Sequence, residues 1–228
     1  MASPNAFDAT MLACHALSCI QQALFFSGLG VLSAADGLKF ECALLLIKSI
    51  AEAALGAFSL DLVAHHVGFA LAAFGGLVAF PSHASSVLFV NIIHIPLAIN
   101  YARKIRGARR GGRLDTAFGH LWFGVCGARL GMAATQSVRT SALQLPVRWA
   151  FYSSVLALGV LDFQWTREAF RKRALPLSWP LLLLGGGVLG AHFESRAAKT
   201  AWCCASATAL LLVVEALIFA STPPWRRR

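Results

Sequence analysis

Eight apolar runs, separated by short hydrophilic gaps, occupy most of this 228-residue chain. They are Thr10–Ser33, Leu38–Phe58, Leu60–Phe80, Ser85–Lys104, Leu114–Thr135, Pro146–Arg167, Leu177–Phe193 and Thr200–Ala220. About 20 helical residues, rising 1.5 Å each, match the ~30 Å hydrocarbon core of a bilayer. A backbone in hydrocarbon must satisfy its own hydrogen bonds, and a run of this length does so as a helix. The pattern predicts an all-α, polytopic transmembrane helical bundle. Composition excludes the soluble alternative, because only 13% of the residues are charged against about 25% in a soluble domain. Pro81-Ser82 turns the chain after the third run. The seventh run is short and holds Gly185-Gly186-Gly187, which predicts a kinked or incomplete crossing.

The formal charge of +10 is carried in the gaps between runs. That is the distribution of the positive-inside rule rather than of a nucleic-acid surface. The basic segments are Arg103–Arg113, Arg167–Arg173 and the tail Trp225–Arg228. Eight crossings place all three on the cytosolic side, together with both termini, while Arg139 and Arg148 fall opposite. Asp61 and the His65-His66 pair then lie nearer the cytosolic end of their helix. The first run lacks a basic leader, so a retained span is expected rather than a signal peptide. The six cysteines show no Cys-x-x-Cys spacing and read as small buried hydrophobes.

Ionisable groups inside such runs are costly and mark function by default. Asp61, His65 and His66 come within six residues of each other. Asp61 and His65 share a helix face, and His66 points about 100° away. The structural alternative is hydrogen bonding of the imidazoles to Glu52 or Asn91 on other helices. Glu41, Lys48 and Glu52 form one stripe on the second run, with Lys48 and Glu52 at the spacing of a direct pair. The stripe serves either as an interior ion pair or as the lining of a polar cavity. Asn91, His94 and Asn100 flank Pro96, which frees a carbonyl and bends its helix. His120, Gly124, Gly127 and Gly131 lie along one stripe, expected to be a small-residue packing groove with His120 hydrogen-bonded across it. Arg129 faces away from that groove and can snorkel. His15, His83 and His192 carry no assigned chemistry.

Three ordered segments resemble the TLC-domain family of membrane proteins, which includes the ceramide synthases. Asp61-Leu-Val-Ala-His65-His66 is similar to the family's Asp-x-x-x-His-His stretch. His94-Ile-Pro-Leu-Ala-Ile-Asn-Tyr-Ala-Arg103 resembles the Pro-Phe-Leu-Asn-x-Arg segment of its non-synthase members. Leu161-Asp-Phe-Gln-Trp165 is similar to the Leu-x-x-x-Trp element that ends the last core helix. The resemblance covers roughly residues 10 to 172. It implies a six-helix core in 1–172 and an added transmembrane hairpin with a basic tail in 173–228. Ceramide synthases also carry a second acidic cluster, but no Asp or Glu occurs here between Leu62 and Leu114. The smaller TLC-domain proteins are therefore the nearer comparison.

These readings predict a multi-pass protein of an endomembrane, such as the endoplasmic reticulum, or of the plasma membrane. It would bind or handle lipid and influence membrane lipid composition, including sphingolipid. His65, His66 and Asp61 would form its reactive group. Glu52, Lys48, Asn91, His94, Asn100, His120 and Trp165 would line its pocket. Membrane lipids are the expected partners, nucleic acid is not, and a homo-oligomer is left open. No cofactor is expected, and acyl-CoA enters only as a substrate. Two enzymatic alternatives remain. One is an N-acyltransferase with a histidine base, its CoA phosphates attracted by Arg103–Arg113. The other is a zinc-dependent lipid hydrolase with His65, His94 and His120 as ligands.

Overall fold

The computed structural model describes residues 6–55, 60–74, 84–107, 112–139, 159–171 and 176–221. Every regular element among them is helical. They are α1 (Ala6–Phe26), α2 (Ala34–Ala54), α3 (Leu60–Phe74), α4 (Ala84–Val90), a 3₁₀ turn (Asn91–Ile93), α5 (His94–Arg106) and α6 (Arg113–Arg139). The helical residues 159–170 (α7) follow, then α8 (Trp179–Ala191) and α9 (Arg196–Ser221). Each apolar run thus contains helix, and residues 146–158 of the sixth lie outside the described residues.

By length and composition, Ala6–Phe26, Ala84–Arg106 and Arg196–Phe219 can each cross a membrane, whereas α8 is shorter. α3 has 15 residues and α2 holds Glu41, Lys48 and Glu52 along its apolar length. Neither is among the helices long and apolar enough to cross a membrane.

Local chemistry sets the helix ends. Ser33 caps α2, its hydroxyl oxygen accepting from the Asp36 backbone N–H at 3.1 Å. Gly107 ends α5 in the left-handed region (φ 63°), after a last turn in which Arg103, Lys104 and Arg106 complement the helix dipole. Pro96 has no N–H for the fourth carbonyl before it, and the chain tightens to 3₁₀ geometry just upstream, at Asn91–Ile93.

Ion pairs fix which ends meet. Lys104 lies 3.7 Å from Asp8, Arg103 lies 2.9 Å from Asp115, and Arg106 and Arg113 lie 2.9 and 3.5 Å from Glu215. The start of α1, the end of α5, the start of α6 and the last turns of α9 therefore gather at one basic end. α7 runs antiparallel to α6 through Arg129–Asp162, Trp122–Thr166 and the stacked Phe118–Phe170 rings. Its C-terminal end reaches the basic end too.

The principal core joins α1, the Ala84–Arg106 run, α6 and α9, through Phe26, Phe89, Ile95, Ile99, Trp122 and Trp202. The C-terminal helices belong to this same core: α9 packs on α1 and α5, while α8 packs along α6. The glycine stripe on α6 is the expected groove, and α8 fills it. A Cβ built on Gly127 would run into the Leu183 carbonyl, and one on Gly131 into that of Gly187. Reciprocally, Gly186 abuts the Gly124 carbonyl and Gly190 that of Ala128. The two backbones touch, as small-residue seams between membrane helices allow.

Two predictions follow from this packing. Gly186→Ala or Gly131→Ala should destabilise the protein by about 1–3 kcal/mol through overpacking, whereas Gly185→Ala, which meets open space, should not. Denaturant unfolding in detergent reads the difference. At the α2 cap, the Ser33 hydroxyl and then Lys39 hold the exposed Asp36 carboxyl below its ordinary value of 3.8. A depressed carboxyl contributes stability above that value and loses it as pH falls through the lowered midpoint. Ser33→Ala should move the Asp36 midpoint upward, as followed by NMR titration.

Candidate functional site

α1 carries a polar stripe, His15, Ser18 and Gln22, at i, i+3 and i+7 in an otherwise apolar helix. It faces the Glu41–Lys48–Glu52 stripe of α2 and the proline-broken run. The Ser18 hydroxyl donates to Glu41 Oε1 at 2.5 Å, and Gln22 Nε2 donates to the Asn91 carbonyl at 2.6 Å and to Ser18 Oγ at 3.1 Å. Cys19 Sγ reaches the His94 carbonyl at 3.7 Å. Side chains of α1 therefore bond to two backbone carbonyls of the irregular Asn91–His94 stretch. Such bonds are how a broken helix is tolerated away from water.

His15 and His94 meet ring to ring. Their Nδ1 atoms are 2.7 Å apart, so one must donate and the other accept. His94 Nε2 lies 3.8 Å from Glu41 Oε2, and His15 stacks on Tyr101 at 5.3 Å. His15, only 2% exposed, is thus a central member of the cluster, although its sequence position suggested no chemistry. The usable signal was its place in the α1 polar stripe.

The adjacent histidines diverge as helix geometry requires. His66 turns to α2, where its Nδ1 is 2.8 Å from Ser49 Oγ and 3.5 Å from Glu52 Oε2. The Ser49 proton is committed to the Leu45 carbonyl at 2.9 Å, so His66 Nδ1–H donates to Ser49. His65 turns the other way, its ring edge-on to Trp165 at 5.1 Å, and its Nδ1 has no hydrogen-bond partner. Asp61 lies in the first turn of α3, and its side chain falls outside the described residues.

Between these groups lies a cavity of about 410 Å³, within the ~300–1,000 Å³ range of ligand pockets. Its polar lining includes His15, Lys48, Glu52, His65, His94 and Asn100, and its apolar and aromatic lining includes Ile93, Leu97, Phe118, Trp122 and Trp165. Arg103, Lys104 and Glu168 also line it, so it reaches the basic end of the bundle. Asn91 lines a smaller recess that shares Lys48, His65 and His94 with the large cavity.

Most residues expected in the pocket are therefore brought together, with three corrections. His120 is not among the cavity residues. Its Nδ1–H donates to the Thr116 carbonyl at 2.8 Å and its Nε2 faces Ser178 Oγ at 3.5 Å, across to the α8 side. The His65–His94–His120 ligand set is consequently not assembled, and no metal-holding group of His, Cys, Asp and Glu occurs among the described residues. Lys48 and Glu52 do not pair directly, since Glu52 is drawn to His66. Arg129 does not snorkel. It is 6% exposed and bonds Asp162, of the Leu161–Trp165 segment, at 2.5 Å.

No protein-family model matches the chain, and neither does any curated protein or solved structure.

The Arg129–Asp162 pair braces α6 on α7 behind the aromatic lining. Removing one partner of a buried pair strands the other charge, at a cost of about 3–5 kcal/mol. Asp162→Ala should lower stability by that order, and the double change Arg129→Leu with Asp162→Leu should recover most of it in equilibrium unfolding.

Proposed function

We propose that this chain is a multi-pass membrane protein of TLC type that holds a lipid in the central cavity and thereby influences membrane lipid composition. One observation supports the reading above the others. Residues of all three TLC-like segments, His65 from the first, His94, Asn100 and Arg103 from the second and Trp165 from the third, line the same cavity. These segments are separated by up to a hundred residues, and a shared cavity is what a shared ligand requires. A lining that combines polar and aromatic side chains suits an amphipathic molecule.

In this reading all eight helical runs cross or enter the bilayer. Six form the TLC-like core, and the hairpin α8–α9 completes the bundle. The basic end faces the cytosol, as the positive-inside rule favours, so the cavity is reached from the cytosolic leaflet. Acyl transfer is the enzymatic variant of the same reading. It is favoured by His65, whose unpartnered Nδ1 belongs to a residue of the cavity wall and which is therefore placed to act as base.

Lipid mass spectrometry of the purified protein tests the proposal. Wild-type protein should carry lipid, and His65→Ala or Trp165→Ala should reduce it about tenfold, equivalent to a loss of ~1.4 kcal/mol. His120→Ala should leave it unchanged. Incubation with acyl-CoA and a long-chain base separates the variants, because turnover lost in His65→Ala supports acyl transfer. Protein that carries no lipid and binds none when lipid is added overturns the reading.

A further inference from the structure

Three nitrogen-bearing side chains at the inner end of the cavity lack a partner. Lys48 is 6% exposed and has no carboxylate at ion-pair distance among the described residues. Asn91 Nδ2 and His65 Nδ1 are buried without hydrogen-bond partners. All three residues line one recess of about 10 Å³ together with Ser18 and Glu41, which is the room one oxygen-sized group needs. The recess meets the large cavity at Lys48, His65 and His94.

Buried polar groups are normally satisfied, and an unpaired buried cation is the costliest exception. The carboxylates on the same helix do not meet this need. Glu41 is engaged by Ser18 and His94, Glu52 Oε2 lies 3.5 Å from His66 Nδ1, and neither carboxylate is at ion-pair distance from Lys48. An ammonium held this way, in low dielectric beside the Asn91 amide and the His65 ring, forms an anion cradle, the Glu41 carboxyl of the same recess being turned to Ser18 and His94. Trp165, Trp122 and Phe118 line the large cavity and not the recess, and their surface suits hydrocarbon.

Resting on the lipid-cavity reading, we infer that the ligand is an anionic amphiphile with a single hydrocarbon chain. Its carboxylate or phosphate oxygen sits on Lys48, Asn91 and His65, and its chain lies along Trp165, Trp122 and Phe118. A neutral headgroup would leave Lys48 unpaired, and an amine would meet it as a like charge. The competing occupant is an amine-headed amphiphile drawn to Glu52 and to Glu168, which also line the cavity.

The test uses the full chain in neutral detergent, titrated with palmitate, palmitoyl lysophosphatidic acid, palmitoylglycerol and sphingosine. Native mass spectrometry reads the affinities, and quenching of tryptophan by brominated-chain analogues reads the chain position. At least one acid should bind about tenfold more tightly than palmitoylglycerol, and the stronger arm distinguishes a carboxylate from a phosphate headgroup. Lys48→Met should abolish that preference, bringing the acid and palmitoylglycerol affinities together, and Lys48→Arg should keep it. Asn91→Leu should weaken acid binding several-fold and provides the reading should Lys48→Met fail to fold. Tightest binding of sphingosine, or an acid preference that survives Lys48→Met, overturns this inference alone. Failure of every probe, palmitoylglycerol included, overturns the lipid cavity as well.

Discussion

The arrangement depends on one constraint: a polar side chain on an apolar helix must find its partner on another helix. The Ser18–Glu41 and Gln22–Asn91 bonds are the clearest result. They tie α1 to α2 and to the irregular stretch before Pro96, where the helix has lost part of its own hydrogen bonding. α1 is bonded along this irregular stretch, at the Asn91 and His94 carbonyls at either end of it. Apolar packing is non-directional, so on its own it would leave the rotation of α1 about its axis undetermined. The hydrogen bonds determine it, and they bring His15 to His94.

The opposite side of the bundle is built on a different principle. α6 and α8 approach until backbone touches backbone, because glycine stands at each crossing point. α7 is held on another face of α6 by Arg129–Asp162 and by the Trp122 N–H on Thr166. A polar, hydrogen-bonded side and a rigid, glycine-packed side leave a gap between them. Its lining therefore mixes imidazoles and Lys48 with indoles, the His65 ring lying against Trp165. That mixture is the chemical basis for reading it as the seat of an amphipathic ligand.

The basic end has a structural role besides its topological one. Arg103, Lys104, Arg106 and Arg113 each meet a carboxylate from elsewhere in the chain, joining α1, α5, α6 and α9. Charges that sequence reading assigns to the membrane interface also close the bundle around the mouth of the cavity. Several of these pairs are partly exposed, and exposed pairs contribute little stability individually. Their contribution is to register, since they link helices that are distant in sequence.

Much was legible in the sequence because hydrophobicity and helix period are local properties. The eight apolar runs, the groove of Gly124, Gly127 and Gly131, the irregularity before Pro96 and the divergence of His65 from His66 follow from neighbours within a few residues. So does the polar character of the Glu41–Lys48–Glu52 stripe. Partner choice is not local. Nothing within a turn of His15 announces His94, 79 residues away, and nothing near Arg129 announces Asp162. Glu52 has Lys48 one turn away, yet lies within reach of His66 on α3. The sequence alone determined which residues are too polar for lipid and on which helix face each stands. Tertiary structure decided which of those faces meet, because that depends on how closely and at what rotation whole helices pack. Through that choice it left Lys48, Asn91 and His65 at the end of a cavity without partners of their own.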